Sequence, residues 1–273
     1  MDVAAMVPGG ADPNPAGGAA LLLLHDHTYT SRQVGPPSQA GCSLPPCRWS
    51  LRGSTEAARV IRDLGCKTTC HIQIALGADE RAWTPQGMND ELRPFTVGYV
   101  GSLIPEKGVK GLAEAVVGLD GARLLVIAGD GPERTEITNV FAAAGDRDSL
   151  SLLGLVPRRE LPAVVRDLDV LVLPSRTMNG VREQFGLALA EAMLCGVAVV
   201  GSDFGAIPEM IDDAGLVFPE GDTDALRVQL ARLRDAPAFR RDLADAGRHR
   251  ALAMYSATAL ADETYALYQA LAA

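Results

Sequence analysis

The sequence lacks the long apolar runs that a membrane-spanning chain requires. The longest such run near its start, residues 19–24, has six residues, whereas a membrane helix needs about 20. No basic stretch precedes this run, so we expect no secretory signal there. Basic residues are in the minority as well, with 25 Lys and Arg against 34 Asp and Glu. The formal net charge of −9 repels phosphates over a broad surface, so we expect no nucleic-acid partner.

Cysteine is too scarce, and odd in number, for a domain built on disulfides. The chain has five: Cys42, Cys47, Cys66, Cys70 and Cys195. This usage favours a reducing, cytoplasmic setting. Four of the five lie within residues 42–70, beside a histidine at position 71, which raises a zinc site as an alternative. Their spacings do not match the paired two-residue knuckles of structural zinc sites, so we expect no metal.

The rest of the composition is that of a folded chain, with 48% apolar and 22% charged residues. At about 150 residues per domain, the 273 residues predict roughly two domains. Residues 1–18 and 35–53 are rich in turn formers, which predicts a partly disordered segment over residues 1–54 with a short strand at 19–24. Residues 55–64 predict a helix and residues 71–76 a strand, so we expect the main domain to span 55–273.

From residue 95 onward, apolar runs of strand length alternate with amphipathic helical stretches. The predicted strands are residues 95–100, 123–128, 150–153, 170–173, 198–200 and 216–218. The first helix carries Leu112, Ala115, Val116 and Leu119 on one face, and two more helices are predicted at 237–252 and 256–271. Strands that are apolar throughout are buried on both faces, as in a parallel sheet covered by helices. The predicted fold class is therefore α/β, with a doubly wound, Rossmann-like parallel sheet.

Glycine-rich loops follow the first two of these strands, at the edge where such sheets bind ligands. After the first strand come Gly101, Ser102, Lys107 and Gly108. Lys107 stands just before a helix, where its ammonium group and the helix N-terminus suit a phosphate; the alternative is a solvated surface lysine. After the second strand, Gly131 would let backbone amides face an anion, although ordinary turns use the same residues.

Two carboxylates bracket the start of the helix predicted after residues 170–173. Glu183 falls where a long polar loop meets the helix, and Glu191 lies on an otherwise apolar stretch of it. A carboxylate is costly in such a place unless it is hydrogen-bonded. The amides of Gly186 and Leu187 would face a phosphate, and an acid beside a phosphate is best explained by a ribose hydroxyl that donates to it. The alternative is that Glu183 is a simple helix cap and Glu191 forms an internal ion pair.

Taken together, these motifs resemble the nucleotide-sugar-binding half of GT-B glycosyltransferases, of the retaining family 4 type. Order and spacing match across residues 95–220, and a weaker likeness extends from 55 to 272. The most specific part is the pair of glutamates with Phe-Gly between them. The motifs that carry the resemblance are Gly101-x4-Glu106-Lys107-Gly108, Gly129-x-Gly131-Pro132, Glu183-x7-Glu191 with Phe185-Gly186-Leu187 inside it, and Gly205-x-Ile207-Pro208-Glu209.

The resemblance implies a role for each matching residue at the donor. Lys107 would contact the diphosphate and Glu191 the ribose hydroxyls, while Val156 would meet the base through its backbone. Glu183 would meet the donor sugar as a catalytic residue. Family members often carry arginine where this chain has Ser102, so one phosphate contact is missing. No metal and no cofactor are implied. The other donor-binding positions are Gly101, Ser102, Gly131, Phe185, Gly186 and Leu187.

The resemblance also points to an acceptor half, of which the chain holds little. Residues 21–29 resemble a strand and His-Asp loop of the acceptor domain, which makes His25 the counterpart of a histidine beside the donor sugar and a second candidate catalytic residue. Residues 1–54 would then be a remnant of that domain; the alternative is that His25 is a surface residue of a leader. The acceptor class (glycan, lipid or small molecule) stays open, as do a peripheral membrane contact and a partner chain that supplies the acceptor half.

The activity that the resemblance implies is that of a retaining glycosyltransferase, which moves a sugar from a nucleoside-diphosphate sugar to an acceptor. The alternative is a catalytically incomplete nucleotide-sugar-binding module, truncated or dependent on a partner. A dinucleotide-dependent oxidoreductase requires Gly-x-Gly-x-x-Gly after the first strand, and the spacing from Gly101 to Gly108 does not fit. A phosphorylase on the same scaffold would need a pyridoxal lysine site, which we do not identify in the sequence.

Overall fold

The computed structural model describes residues 21–23, 49–52, 69–72, 77–85, 93–178 and 186–272. The chain divides into two compact units, one of residues 1–75 with 260–273 and one of residues 76–259. The helix predicted at 55–64 lies outside the described residues, and so do His25, Glu183 and Phe185. The domain boundary expected between residues 54 and 55 stays a prediction.

The unit of residues 76–259 is built on a six-stranded sheet in which every neighbouring pair is parallel. The strand order is β6-β5-β4-β7-β8-β9, so the chain starts in the middle, moves to one edge, and then returns to fill the other side. This order reverses between β4 and β7, which places a crevice outside the carboxyl ends of those strands. The strands are β4 (Phe95–Val100), β5 (Arg123–Ala128), β6 (Leu150–Gly154), β7 (Val170–Leu173), β8 (Ala198–Ser202) and β9 (Leu216–Phe218).

Helices follow the strands and cover the sheet. The longer ones are α1 (Val109–Val117), α2 (Arg134–Ala143), α6 (Thr223–Asp235) and α7 (Pro237–Met254). A further helix, α8 (Ala257–Ala272), lies mostly in the other unit, which includes residues 260–273. The shorter ones are α3 (Leu161–Arg166), α4 (Leu187–Leu194) and α5 (Ile207–Ile211). Short 3-10 turns span Pro105–Lys107 and Arg147–Ser149. Within the described part of the chain, no helix has the length and the apolar character needed to cross a bilayer.

The central strands are buried on both faces, which is why their sequences are apolar without alternation. All four residues of β7 and all five of β8 are buried. The predicted stripe of α1 is buried as well, with Leu112, Ala115 and Val116 fully enclosed. The predicted α/β class with a doubly wound parallel sheet is therefore confirmed.

Several strand and helix ends differ from the predictions by one to three residues. β6 continues to Gly154, and β8 continues through Gly201 to Ser202. Ser202 is polar, so a search for apolar runs does not include it in the strand. Its side chain is nevertheless buried, and its hydroxyl donates a hydrogen bond to the Ser175 carbonyl oxygen. α7 ends at Met254 rather than at 252, and α8 spans Ala257–Ala272 rather than 256–271. α4 begins at Leu187, with Gly186 before it at φ 75°, a left-handed conformation that favours glycine.

The other unit holds a parallel three-stranded sheet in the order β1-β2-β3. Its strands are β1 (Leu21–Leu23), β2 (Trp49–Arg52) and β3 (Thr69–Ile72). β1 lies inside the run predicted as a strand, and β3 begins two residues before the prediction. β2 was not predicted, since it lies in the turn-rich residues 35–53. Its first three residues pair with β1 and all four pair with β3, and so short a strand shows no clear period in the sequence.

Candidate functional site

The loops that follow β4 and β5 pack backbone against backbone, and this contact explains their glycines. A Cβ atom on Gly129 would lie 1.8 Å from the Gly101 carbonyl oxygen, and one on Gly131 would lie 2.5 Å from the Leu103 carbonyl oxygen. Hydrogen bonds cross between the loops: the Leu103 amide donates to Asp130 O over 2.9 Å, and the Glu133 amide donates to Leu103 O over 3.0 Å. The Gly-x-Gly-Pro turn is thus required by the close approach of two loops.

An open cavity of about 250 Å³ lies at the carboxyl ends of β4 and β5, and the loop after β6 forms another of its walls. It contains three of the predicted donor-binding residues, namely Gly101, Ser102 and Val156. Complete ligand pockets start at about 300 Å³, so this cavity suits part of a larger ligand. The lining residues are Val100, Gly101, Ser102, Ala128, Gly129, Asp130, Leu155, Val156 and Leu161.

Lys107 is held next to the loop after β7. It ends the 3-10 turn Pro105–Lys107, and Gly108 behind it adopts φ 65°. A Cβ atom on Gly108 would lie 2.1 Å from the Pro174 carbonyl oxygen. The Arg176 amide donates to Glu106 O over 2.9 Å, and its guanidinium Nε donates to Pro105 O over 2.8 Å. Contacts between the loop after β4 and the loop after β7 therefore position the half-buried Lys107.

The first residues of the loop after β7 are also fixed from the other side. The Thr177 amide and hydroxyl donate to the Glu220 carboxylate over 3.0 and 2.9 Å. The Glu220 amide in turn donates to the Asp203 carboxylate over 2.7 Å. Sequence reasoning missed Arg176, Thr177 and Glu220. The polar character of the loop after β7 was the only available signal for the first two, and nothing in the sequence pattern singles out Glu220.

α4 begins at Leu187, just after residues 184–186, where the sequence predicts the start of this helix. Gly186 is buried at the N-cap position, none of the described side chains caps the first turn, and Leu187 is half-buried. The first amides of a helix lack intrahelical partners and attract anions. A Cβ atom on Gly186 would lie 3.0 Å from Leu173 Cδ2 at the end of β7, so the helix starts directly beside the strand that precedes it.

Glu191 is buried in α4, with 3% of its side chain exposed, and it forms an ion pair with Arg158. The bond joins Arg158 Nη2 to Glu191 Oε1. Burial raises the pKa of the Glu191 carboxyl, while the hydrogen bond and charge of Arg158 act in the opposite direction. The internal ion pair weighed from the sequence is therefore present. Its partner was missed, although Arg158 stands only two residues after Val156.

Glu133 is a second buried carboxylate near the predicted phosphate loops. It ends the turn after β5, and its Oε2 atom has no hydrogen-bond partner among the described residues. Burial raises the pKa of the Glu133 carboxyl, and the positive charge of Arg176 opposes that shift. The sequence analysis did not single out this residue.

Other predicted groups are brought together only in part. Gly101, Ser102 and Val156 share one cavity, and Gly131 supports the loop beside it. Glu183, Phe185 and His25 lie outside the described residues, as do Cys42, Cys47 and Cys66. No cluster of three or more metal-ligating side chains occurs in the described ranges. Cys195 is a free thiol there, and burial raises its pKa to about 11.

The fold is similar to that of several solved structures. Anabaena HepE in complex with UDP superposes with a TM-score of 0.73 at 18% identity, over 82% of this chain and 64% of that one. The C-terminal domain of LpcC, a glycosyl transferase group 1 protein from Francisella tularensis, superposes with a TM-score of 0.59 at 24% identity, over 66% of this chain and all of that one.

Curated sequences give a consistent result. Alpha-D-kanosaminyltransferase from Streptomyces kanamyceticus is 30% identical over 67% of this chain and 47% of its own length. Alpha-maltose-1-phosphate synthase from Mycolicibacterium smegmatis is 28% identical over 93% of this chain and 76% of its own length. In four of the curated relatives, this kanosaminyltransferase among them, the match covers 36–52% of the relative's own length. The family model for glycosyl transferases group 1 matches residues 85–250, and the chain belongs to this family.

Proposed function

We propose that this chain binds a nucleoside-diphosphate sugar at the carboxyl ends of β4, β5 and β7 and transfers its sugar, with retention, to an acceptor. One observation carries the proposal: a cavity lined by Gly101, Ser102 and Val156 lies on the β4 loop that also carries Lys107. HepE, a relative in fold, has been solved with UDP, and the curated relatives are named as glycosyltransferases.

Within this proposal, each described residue has a role that follows from its chemistry. The cavity takes the base along Val156, and the Glu191 carboxylate accepts hydrogen bonds from the ribose hydroxyls. The Lys107 ammonium and the first amides of α4 bind the diphosphate. Because this chain has Ser102 where family members carry arginine, the subsite has one cation fewer. Lys107 therefore compensates a larger share of the negative charge of the diphosphate.

The reaction would break the bond between the anomeric carbon and the diphosphate oxygen and form a bond from the same carbon to the oxygen of an acceptor hydroxyl. The O–H bond of that hydroxyl breaks, and the departing diphosphate oxygen takes up its proton. Negative charge grows on the departing nucleoside diphosphate, and a fixed cation and helix amides stabilise it without reorganisation. Glu183 and His25 are proposed beside the donor sugar, on the basis of the motif resemblance. No metal is required for this charge compensation.

Turnover of UDP-, GDP- and ADP-sugars by the full chain tests the proposal. Release of the nucleoside diphosphate is measured by chromatography, and proton NMR of the product reads the anomeric configuration. We expect release from one of the donors and retention in the product. Lys107→Ala should abolish most of the release, whereas Lys110→Ala, which removes an exposed lysine from the same helix region, should not.

A second candidate function is a nucleotide-sugar-binding module that does not transfer the sugar. It is favoured by the observation that the described donor-site residues all lie in the unit of residues 76–259. Calorimetric binding of a nucleotide sugar without release of nucleoside diphosphate would support the module. Release that depends on Lys107 would contradict it.

A further inference from the structure

The Arg158–Glu191 ion pair joins the cavity loop to the buried helix α4. Arg158 stands in the loop after β6, two residues beyond Val156, which lines the cavity. Glu191 lies in the middle of α4. The bond between them therefore connects the proposed base subsite to the proposed ribose carboxylate.

Arg158 is fixed from two directions. Its Nη2 atom binds Glu191 Oε1, and its guanidinium carbon lies 5.6 Å from the ring centre of Trp83, which is buried. A guanidinium within about 6 Å of an indole is attracted to the ring face. The arginine side chain is 60% exposed, whereas the glutamate is 3% exposed. Arg158 therefore reaches from solvent to a carboxylate that is otherwise enclosed.

The bond to Arg158 leaves Glu191 able to accept further hydrogen bonds. It is a single contact to Oε1, so Oε2 still has its lone pairs for ribose hydroxyls. The charged group that contacts Glu191 is the Arg158 guanidinium from the β6 loop. The Cys195 thiol lies one turn along α4, and the charges of Arg166 and Arg248 act on that thiol. The thiol is neutral at physiological pH and adds no negative charge beside Glu191. The positive charge that acts on the Glu191 carboxylate is that of Arg158.

We propose that Arg158 is a positioning residue of the nucleotide site, which orients the Glu191 carboxylate to accept the ribose hydroxyls. This inference rests on the proposed function. Without Arg158, the buried carboxylate loses its compensating charge and takes up a proton at higher pH. A protonated carboxyl keeps one acceptor oxygen but loses the charge that strengthens the hydrogen bond.

Calorimetric titration of the full chain with paired ligands tests the inference. Wild type is first titrated with UDP, GDP and ADP, and the one that binds is compared with its 2′,3′-dideoxy analogue. We expect Arg158→Ala to weaken binding of the ribose ligand at least tenfold and to leave binding of the dideoxy analogue within twofold. The loss should be larger at pH 6 than at pH 8, and Arg158→Lys should restore part of it.

Arg159→Ala is the matched control. Its side chain is the next in sequence, is 84% exposed, and pairs with Glu160 rather than with Glu191. We expect this variant to bind both ligands as wild type does. In a Glu191→Gln background, Arg158→Ala should cost less than twofold, because the arginine acts through the carboxylate. Thermal unfolding of each variant confirms that it is folded, and Arg158→Gln serves as the replacement if the alanine variant is not.

Three other outcomes of these titrations would overturn the inference. Equal losses for the ribose and dideoxy ligands would overturn the inference, because Arg158 would then act on the phosphates or on the fold. Unchanged binding of the ribose ligand would overturn it as well. If wild type binds none of the three nucleotides, the proposed function fails and the inference fails with it; wild-type binding therefore separates the two failures.

Discussion

Gly108 and the Pro174 carbonyl approach each other so closely that no side chain fits between them: a Cβ atom on Gly108 would lie 2.1 Å from that oxygen. The two residues belong to the loops after β4 and β7, which are neighbouring strands at the point where the strand order reverses. The contact sets Lys107 beside the start of the loop after β7. The glycine after the lysine is thus a packing requirement of the proposed phosphate site.

Gly108→Ala should therefore destabilise the protein more than the substitution of a glycine whose φ is positive but whose Cβ position is free of neighbouring atoms. Gly121 offers the comparison, because its φ is 78° and no atom lies within 4 Å of the position that a Cβ atom would take there. We expect a loss of about 1–2 kcal/mol for Gly121→Ala and a clearly larger loss for Gly108→Ala. Urea unfolding of the two variants measures the difference. Equal losses would show that the contact with Pro174 relaxes freely.

Lys107→Ala should weaken nucleoside-diphosphate binding by roughly 10- to 100-fold, because hydrogen bonds to charged groups contribute about 1.5–3 kcal/mol. Binding of the unphosphorylated nucleoside should be unchanged. Lys110→Ala is the control, since Lys110 is exposed on α1 and lies 3.7 Å from Glu136. Titrations at two salt concentrations measure both variants. A similar loss in the two would indicate a general charge effect instead of a phosphate contact.

The stability of Arg158→Ala should depend on pH. Burial raises the pKa of the Glu191 carboxyl, so the folded state binds a proton more readily than the unfolded state, and stability falls as pH rises through that raised pKa. Removing Arg158 raises the pKa further, so the fall, which begins at the pKa of the unfolded carboxyl, continues to higher pH and becomes larger. We expect the variant to lose about 1–2 kcal/mol at pH 7 and less at pH 5. Urea unfolding at both pH values measures this, and a pH-independent loss would contradict it.

Glu133→Gln should stabilise the protein at alkaline pH. Burial raises the pKa of the Glu133 carboxyl, and its Oε2 lacks a partner among the described residues, so the ionised form is penalised above that pKa. The neutral amide avoids this penalty, and we expect a gain of about 1 kcal/mol at pH 8 and little change at pH 4.5. Glu114→Gln, on an exposed position of α1, is the control, because Glu114 is not among the charges that shift the pKa of Glu133. A loss of stability at pH 8 would show that the charge of Glu133 is needed by Arg176.

The sheet could be predicted because its strands are mostly apolar. β4, β5, β7 and β9 begin and end at the predicted residues. All of β7 and the first five residues of β4 are buried, whereas β5 and β9 are only partly buried. The prediction for β8 is too short because Ser202 is polar. Its hydroxyl is paired across the sheet with the Ser175 carbonyl, and a sequence pattern does not record such a pairing.

The site could be predicted only at positions where the close approach of two backbone segments requires glycine. Gly101, Gly131 and Gly108 stand out in the sequence because close approach demands glycine. The partner of Glu191 does not stand out, because Arg158 comes from another loop, 33 positions earlier, and reaches it through a long side chain. The tether between Thr177 and Glu220 is hidden for the same reason.

The central claim is that the cavity, Lys107 and Glu191 form one nucleoside-diphosphate site. The most direct measurement is calorimetric titration of UDP, GDP and ADP into wild type and into the Lys107→Ala/Glu191→Gln double variant. We predict that wild type binds one of the three with a single site and that the folded double variant loses at least 100-fold in affinity. Absence of binding to wild type, or equal affinity in the double variant, would contradict the claim.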